Sequence, residues 1–549
     1  MNKLIITLLS AFLFVSGCKN ASEKKFMAAA APERQDTSLF YLDSIQIINY
    51  FNQHSQALDD EEKLKSFYEK RNYSFAWIRG EGFNEQAGNF INLFNQEERE
   101  SGNDSVFFHD KLHTLFTVLS EEDYKFHSKD SITAEMELLL TINFFDYAKR
   151  NWASASNEEL KKVSWFIEPR KINYENLLDT ILKSDRNSLA AYEPVYRQYE
   201  LLKKFLHQYD VIEKKGGWAA LPFDNKKLKR GDTSPLVAEI KKQLYLRADL
   251  TTNDSTELFD EALSNALKMF QNRHGLKEDG TLNEKTLQEL NVSVHDRIQQ
   301  ILINMERSRW VPAEMKGDYL GVNIPEFKLH VYHNDSLEWS CKAVVGRSKE
   351  VNNTVIFNDS LEYIVFSPYW NIPKTILLKE TLPAEKRNPD YLSSHNMEVV
   401  NAKGKLIEGS SIDWKNYSTN FPYIIREKPG KNNSLGLVKF LFPNSYDIYL
   451  HDTPEKSLFD ETTRTFSHGC IRIEEPFKLA KFLLRNDSRY SDEKIKALMD
   501  GGKETFVKME AKVPVFIAYF TAWVDRSGKL NFRDDIYHHD DKMRQIMFN

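Results

Sequence analysis

Cysteine is scarce: the sequence holds 3 among 549 residues. That excludes a disulfide scaffold and a multi-cysteine zinc module, so each thiol has to be explained singly. Neither sign of charge dominates. The chain has 74 basic and 80 acidic side chains, for a formal charge of -6, which argues against a dedicated nucleic-acid binder. No apolar run reaches the ~18 residues that a membrane-spanning helix needs. What remains is an ordinary globular mixture, 41% hydrophobic and 28% charged, able to bury several cores. At roughly 100–200 residues per domain, the length predicts a multidomain chain. Aromatic residues reach 13%, enough for large cores or for surfaces that grip extended ligands.

The N-terminus points to export. Met1-Asn2-Lys3 precede an apolar run from Leu4 to Val15, and Ser16-Gly17-Cys18 follow. A short positive head, an apolar middle and small residues before a boundary mark a signal peptide, here residues 1–17. Val15-Ser16-Gly17-Cys18 resembles a bacterial lipobox, which implies cleavage before Cys18 and lipidation of its sulfur. Acyl chains anchor through roughly 0.8 kcal/mol per buried CH₂. Residues 18–38, with Ala28-Ala29-Ala30-Ala31-Pro32, then read as a tether. The folded part is expected in a periplasmic space, lipid-anchored to a bacterial membrane.

Periodicity divides the rest. Residues 39–227 read as a helical scaffold. Met136, Leu139, Leu140, Phe144 and Tyr147 recur at helical spacing, while the aromatic-rich stretch Phe67 to Trp77 reads as core. Residues 228–292 read as a three-helix unit, with Val237, Ile240 and Leu244 on one stripe and Leu263, Leu267 and Phe270 on a second. Gly275 suits a helix C-terminus. Residues 293–317 give a linker helix. From residue 318 the period becomes 2. Leu320, Val322 and Ile324 alternate, and Leu337, Trp339, Cys341, Ala343 and Val345 share one face, predicting a hairpin. Cys341 lies among apolar neighbours there and reads as an inert structural thiol. Further strands are expected over Leu361–Phe366, Tyr446–Leu450 and Val513–Val524, so residues 318–535 form a mainly-β domain. The polar stretch 375–440 reads as a long inserted lid, and 536–549 as a polar tail.

The chemistry concentrates between His451 and Arg472. In Tyr446-Asp447-Ile448-Tyr449-Leu450-His451, alternation puts Asp447, Tyr449 and His451 on one face. Cys470 stands inside Ser467-His468-Gly469-Cys470-Ile471-Arg472, where Ile471 and Ile473 point one way and Cys470 and Arg472 the other. A free thiol with pKa ~8.5 is only a few per cent ionised at neutral pH, and a neighbouring imidazole can take its proton. The amides of Gly469 and Cys470 are candidates for an oxyanion hole worth ~3–4 kcal/mol. His451, His468, Cys470 and Asp452 could instead be metal ligands. However, His-x-Cys is not a usual zinc spacing and the cluster holds one thiol, so neither a metal nor a cofactor is expected.

These residues resemble the L,D-transpeptidase signature of the YkuD type, His-x(14–17)-[Ser/Thr]-His-Gly-Cys-h-[Asn/Arg], with fifteen residues between His451 and Ser467. The similarity continues through Pro368-Tyr369-Trp370-Asn371-Ile372-Pro373, Lys428-Pro429-Gly430, Asn433-Ser434-Leu435-Gly436, Phe442-Pro443-Asn444 and His451-Asp452-Thr453-Pro454. The whole is similar to the large multidomain members of Gram-negative bacteria. The three-helix unit, in its turn, resembles a small peptidoglycan-binding domain. The resemblance implies a multidomain α+β fold: helical scaffold, three-helix peptidoglycan-binding-like domain, and mainly-β YkuD-type catalytic domain with an inserted lid. It implies Cys470 as nucleophile, His451 as general base, His468 orienting the loop and Gly469 supplying a donor. Trp370, Asn371, Arg426, Asn433, Ser467 and Arg472 become substrate-binding candidates. Peptidoglycan stem peptides and glycan are the implied partners, 3–3 cross-links the implied product, and carbapenems the implied inhibitors. Water as acceptor would make an L,D-carboxypeptidase, and a lipoprotein amine a tethering enzyme. A non-catalytic wall-binding scaffold would not need both His451 and Cys470.

Overall fold

The computed structural model describes residues 39–548 apart from 54–60, 81, 102–108, 122, 128, 154, 169–170, 185–195, 223–226 and 350–351. The signal and tether, with Cys18, lie outside the described residues. The described residues form two compact units, one within residues 39–144 and 182–187 and the other within residues 145–181 and 188–548.

The first unit is helical. Its helices run over Ser44–Gln53, Glu61–Lys70, Glu85–Ser101, His109–Leu119 and the first part of Ser131–Trp152, with a two-residue hairpin of β1 (Ile78–Arg79) and β2 (Gly82–Phe83). Phe67, Tyr68, Phe75 and Trp77 are fully buried, and Trp77 stacks on Phe90 at 5.6 Å. One carboxylate lies inside this core. Glu137 accepts from the amides of Ala76, Trp77 (3.0 Å) and Ile78 (3.2 Å) and from the Tyr68 hydroxyl (2.8 Å). The amides of Ala76, Trp77 and Ile78 are thus satisfied by a helix side chain, just where the β1–β2 hairpin begins.

In the second unit, the three-helix segment is Pro235–Leu246, Glu261–Arg273 and Glu284–Leu290. Ser234, Asp260 and Asn283 cap these helices with their side-chain oxygens, the usual N-terminal device. The apolar stripes meet in one core of Val237, Ile240, Leu244, Leu263, Leu267 and Phe270. Helix Val294–Arg309 leads to the β domain.

That domain contains fifteen strands: β3 (Asp318–Asn323), β4 (Lys328–His333), β5 (Ser336–Gly346), β6 (Phe357–Phe366), β7 (Trp370–Asn371), β8 (Met397–Val400), β9 (Leu406–Ile407), β10 (Ile424–Glu427), β11 (Val438–Leu441), β12 (Leu450–His451), β13 (Thr465–Ser467), β14 (Ile471–Ile473), β15 (Thr505–Ala518), β16 (Ala522–Val524) and β17 (Leu530–Phe532). Nine of them form one sheet in the order β13-β5-β14-β12-β11-β6-β15-β3-β4. Because β4 pairs again with β5, the sheet closes on itself, and closure removes the exposed edges of an open sheet. Leu320, Val322, Leu329, Val331, Cys341, Ala343, Leu450, Ile471 and Ile473 fill its core.

A smaller sheet, β7-β10-β8-β9, belongs to residues 370–427. It carries short helices over residues 374–387 and 391–394 and a separate core around Ile376, Leu382, Val399 and Ile425. The polar stretch read from sequence as 375–440 therefore starts slightly earlier as structure and ends sooner, since Val438–Leu441 is a strand of the main sheet. Two expected strands also break. Asp447 stands at φ 55°, so the extended segment before His451 shrinks to Leu450–His451. The expected run Val513–Val524 divides into the end of β15 and the start of the β16–β17 hairpin. Nor do residues 536–549 trail away as a polar tail. His539–Met547 is helical, and the buried Asp540 receives Arg307 at 2.6 Å.

Candidate active site

Strand register creates the site. β12 and β14 run parallel, pairing Leu450 with Ile471 and His451 with Arg472, and the Ile471 amide donates to the Tyr449 carbonyl at 3.1 Å. Leu450 and Ile471 turn into the core. Pleat alternation then sends His451, Cys470 and Arg472 to the opposite side. There they line a cavity of about 650 Å³ together with Tyr449, Ser467, His468, Lys439, Asp447, Trp370 and Asn371.

His451 is 5% exposed. Its Nδ1 lies 2.5 Å from the Asp452 carbonyl. A carbonyl can only accept, so Nδ1 carries the proton and Nε2 is left with a free lone pair. Burial, with Arg472 and Lys439 nearby, pushes its pKa down to about 3. The imidazole is therefore neutral, the form a general base requires. The orienting third group is a main-chain carbonyl. The Asp452 carboxylate is engaged elsewhere, accepting from the Leu437 amide at 2.9 Å and Lys456 at 2.6 Å.

Burial pushes the Cys470 thiol up to about 11, with neighbouring Tyr449 opposing. The thiol donates to the Asp447 carbonyl at 3.5 Å, and Asp447 itself stands in a left-handed turn. The resting pair is thus a neutral thiol beside a neutral imidazole. Tyr449 lines the same cavity as Trp370 and Cys470, and burial holds its phenol well above the ordinary value. Tyr449 was not singled out from sequence. Its position two residues before His451 was the available signal, because alternation gives both the same face.

The loop before Cys470 is stapled internally. Buried Ser467 donates its hydroxyl to the Cys470 carbonyl at 2.5 Å and accepts from the Gly469 amide at 3.1 Å. Gly469 stands at φ 125°, a region that favours glycine, and its carbonyl accepts from Thr354 at 2.8 Å. The Gly469 amide is thus engaged within the loop, and the Ser467 hydroxyl donates its proton there as well. His468 is one-third exposed and stands 3.3 Å from Glu380, in the π-helical turn Leu377–Thr381.

Trp370, Asn371 and Arg472 reach the cavity wall, and Arg472 pairs with Glu455. Arg426 and Asn433 do not reach it. Arg426 pairs with Glu398 at 2.7 Å and lies 3.8 Å over the Tyr369 ring. Asn433 is 1% exposed and donates to the Pro368 and Lys428 carbonyls. Both brace the root of the smaller sheet. Cys341, on β5, is buried and its pKa is likewise pushed up to about 11. Among the described residues no group of metal-ligating side chains gathers at this cavity. The cluster Asp535, His538 and Asp541 lies elsewhere and is engaged in starting the C-terminal helix.

Cys470 and a neutral, carbonyl-oriented His451 thus share one cleft. Comparison with known proteins gives matches by region. Residues 317–511 match the YkuD family, described as L,D-transpeptidase catalytic domain. Residues 62–206 match a family described as scaffold domain, and 233–290 one described as "Putative peptidoglycan binding domain". The chain therefore carries a YkuD-family L,D-transpeptidase catalytic domain, preceded by a domain of the peptidoglycan-binding type. It is 33% identical to a protein of Haemophilus influenzae named "Putative L,D-transpeptidase" over 248 residues, 45% of this chain and 49% of that protein. The chain thus matches about half the length of this curated relative. Among solved structures, an L,D-transpeptidase of Xylanimonas cellulosilytica aligns at 13% identity over 54% of this chain and 100% of its own, with a TM-score of 0.18. One of Stackebrandtia nassauensis aligns at 14% over 55% and 96%, with a TM-score of 0.20. The assignment rests on the sequence matches.

Proposed function

We propose that the protein is a peptidoglycan L,D-transpeptidase working through Cys470. The carrying observation is the shared cavity of Cys470 and His451, with the His451 Nδ1 proton committed to the Asp452 carbonyl. As Cys470 attacks the carbonyl between the third residue of a tetrapeptide stem and its terminal D-Ala, the thiol proton passes to His451 Nε2. The same proton then goes to the departing D-Ala amine, leaving a thioester on Cys470. The side-chain amine of a second stem attacks the thioester, gives up a proton through His451 and returns the cysteine, forming a 3–3 cross-link. The broken amide supplies the acyl group, so no nucleotide is consumed. With the Gly469 amide occupied, the Cys470 amide and the Tyr449 phenol, which share the cavity, are the donors this reading assigns to a developing oxyanion, worth roughly 3 kcal/mol each.

This reading places the protein in the cell envelope, tethered through a lipidated Cys18 and engaging wall glycan and peptide. Among the described residues no helix is long and apolar enough to cross a membrane. The reading also makes Cys470 the target of carbapenem acylation.

The test is incubation of the purified protein with disaccharide-tetrapeptide, with products read by mass spectrometry beside Cys470→Ala. A dimer lacking one D-Ala, absent from the variant, is expected. Tripeptide alone would make water the acceptor and the enzyme an L,D-carboxypeptidase. Unchanged turnover in Cys470→Ala would overturn the assignment.

A further inference from the structure

Three adjacent strands place three side chains in one row. β11 pairs with β12 so that Lys439 stands opposite His451, and β12 pairs with β14 so that His451 stands opposite Arg472. With strands ~4.8 Å apart, a cation lies on each side of the imidazole, and all three residues line the cavity. The two cations differ in their engagement. Arg472 is paired with Glu455. The Lys439 side chain is only 15% exposed, yet its nearest carboxylate, Glu504, is 4.0 Å away. Its remaining contact is a long hydrogen bond to the Tyr369 carbonyl, at 3.4 Å. An ammonium has three donors, and removing it from water is costly unless it is paired. Burial lowers the Lys439 pKa, with Glu504 opposing, which is the signature of a cation short of a partner.

We infer that Lys439 forms a carboxylate-binding subsite beside the nucleophile, taking the free terminal carboxylate of the residue that leaves when Cys470 is acylated. This deepens the proposed function and rests on it. The ligand class follows from geometry and charge. A peptide cut one residue from its end carries its carboxylate within one residue of the scissile carbonyl. A cation one strand away from the general base stands at that reach. The subsite makes a stem ending one residue after the scissile bond the preferred donor. A blocked or amidated end would leave the lysine buried and unpaired, and a site built to pair a polar group discriminates strongly against a ligand that lacks it.

The experiment compares disaccharide-tetrapeptide with the same molecule carrying a terminal carboxamide. Equilibrium binding is measured on full-length Cys470→Ala, and kcat/KM for acylation on the active protein. The acid is expected to bind and react roughly 10- to 100-fold better than the amide, the range for truncating a charge-assisted hydrogen bond. Lys439→Met is expected to abolish that preference by weakening the acid alone, and Lys439→Arg to restore most of it. Equal affinity for acid and amide in the unmodified cavity would overturn the subsite, and this comparison needs no Lys439 variant to fold. An equal loss for both ligands in Lys439→Met would also overturn it, because that is how a merely structural lysine behaves. Selective binding without acylation would overturn the enzymatic reading and leave the subsite standing; acylation without selectivity would do the reverse.

Discussion

A thiol held at about 11 is ionised in roughly one molecule in a thousand at pH 8. Cys470 therefore does not behave as the preformed thiolate of a strongly activated cysteine protease. Its alkylation by iodoacetamide should keep rising about tenfold per pH unit beyond pH 9, where an ordinary thiol levels off. The reading is made on the Cys470 peptide by mass spectrometry, and a plateau near pH 8 would contradict the burial argument. Cys341 offers an internal contrast, since burial inside the closed sheet should keep it unmodified throughout. His451, with its pKa near 3, stays neutral over the same range, so loss of activity between pH 4 and 7 would have to come from another group. The meeting of His451 and Cys470 in one cavity was legible in the sequence because a fixed gap and a Ser-His-Gly-Cys run are local properties. Tyr449 and Lys439 were not, or only weakly. Each is a common residue with no motif, and its meaning comes from which strand pairs with which.

Elements show the same division. Helices with a continuous apolar stripe, such as Glu261–Arg273, were readable because one period describes one face. The strand before His451 was overestimated because alternation does not register a left-handed residue, and Asp447 is among the residue types that tolerate that conformation. Nor does sequence pattern reveal a carboxylate that organises a segment sixty residues away. Glu137 accepts from three consecutive amides in the first unit. Glu137→Ala would leave buried donors without an acceptor and should cost about 3 kcal/mol or more, seen as a lower melting temperature and faster proteolysis of residues 64–94. Burial raises this carboxyl to about 7. A raised carboxyl contributes stability that is complete below its unfolded value of 4.5 and is lost as pH rises through about 7. The first unit should therefore melt earlier at pH 8 than at pH 5, and Glu137→Gln should flatten that slope.

At the scale of the second unit, the three-helix segment is fastened to the C-terminal hairpin of the β domain. Buried Arg273 pairs with Asp249 and donates to the Leu530 carbonyl. His274 stacks between Phe270 at 3.9 Å and Phe532 at 5.6 Å. Gly275 stands at φ 68°, and an added Cβ would meet Arg533 at 2.6 Å. Gly275→Ala should lower the melting temperature and expose residues 530–533 to proteases, while acylation of Cys470 by small substrates persists; unchanged stability would mean the junction is slack. Burial and the neighbouring arginines hold His274 well below its ordinary pKa. Its contribution is present above pH 6.5 and fades as pH falls, so the same junction should loosen in acid. The smaller sheet is attached in a different way. Its first and last strands are neighbours, with Trp370 opposite Glu427 and Asn371 opposite Arg426. Its two ends therefore leave the closed sheet side by side, about one strand spacing apart. A segment inserted through such a paired stem is an interchangeable cassette: evolution or an engineer can lengthen, shorten or replace it with a tight turn while the barrel around Cys470 keeps its register.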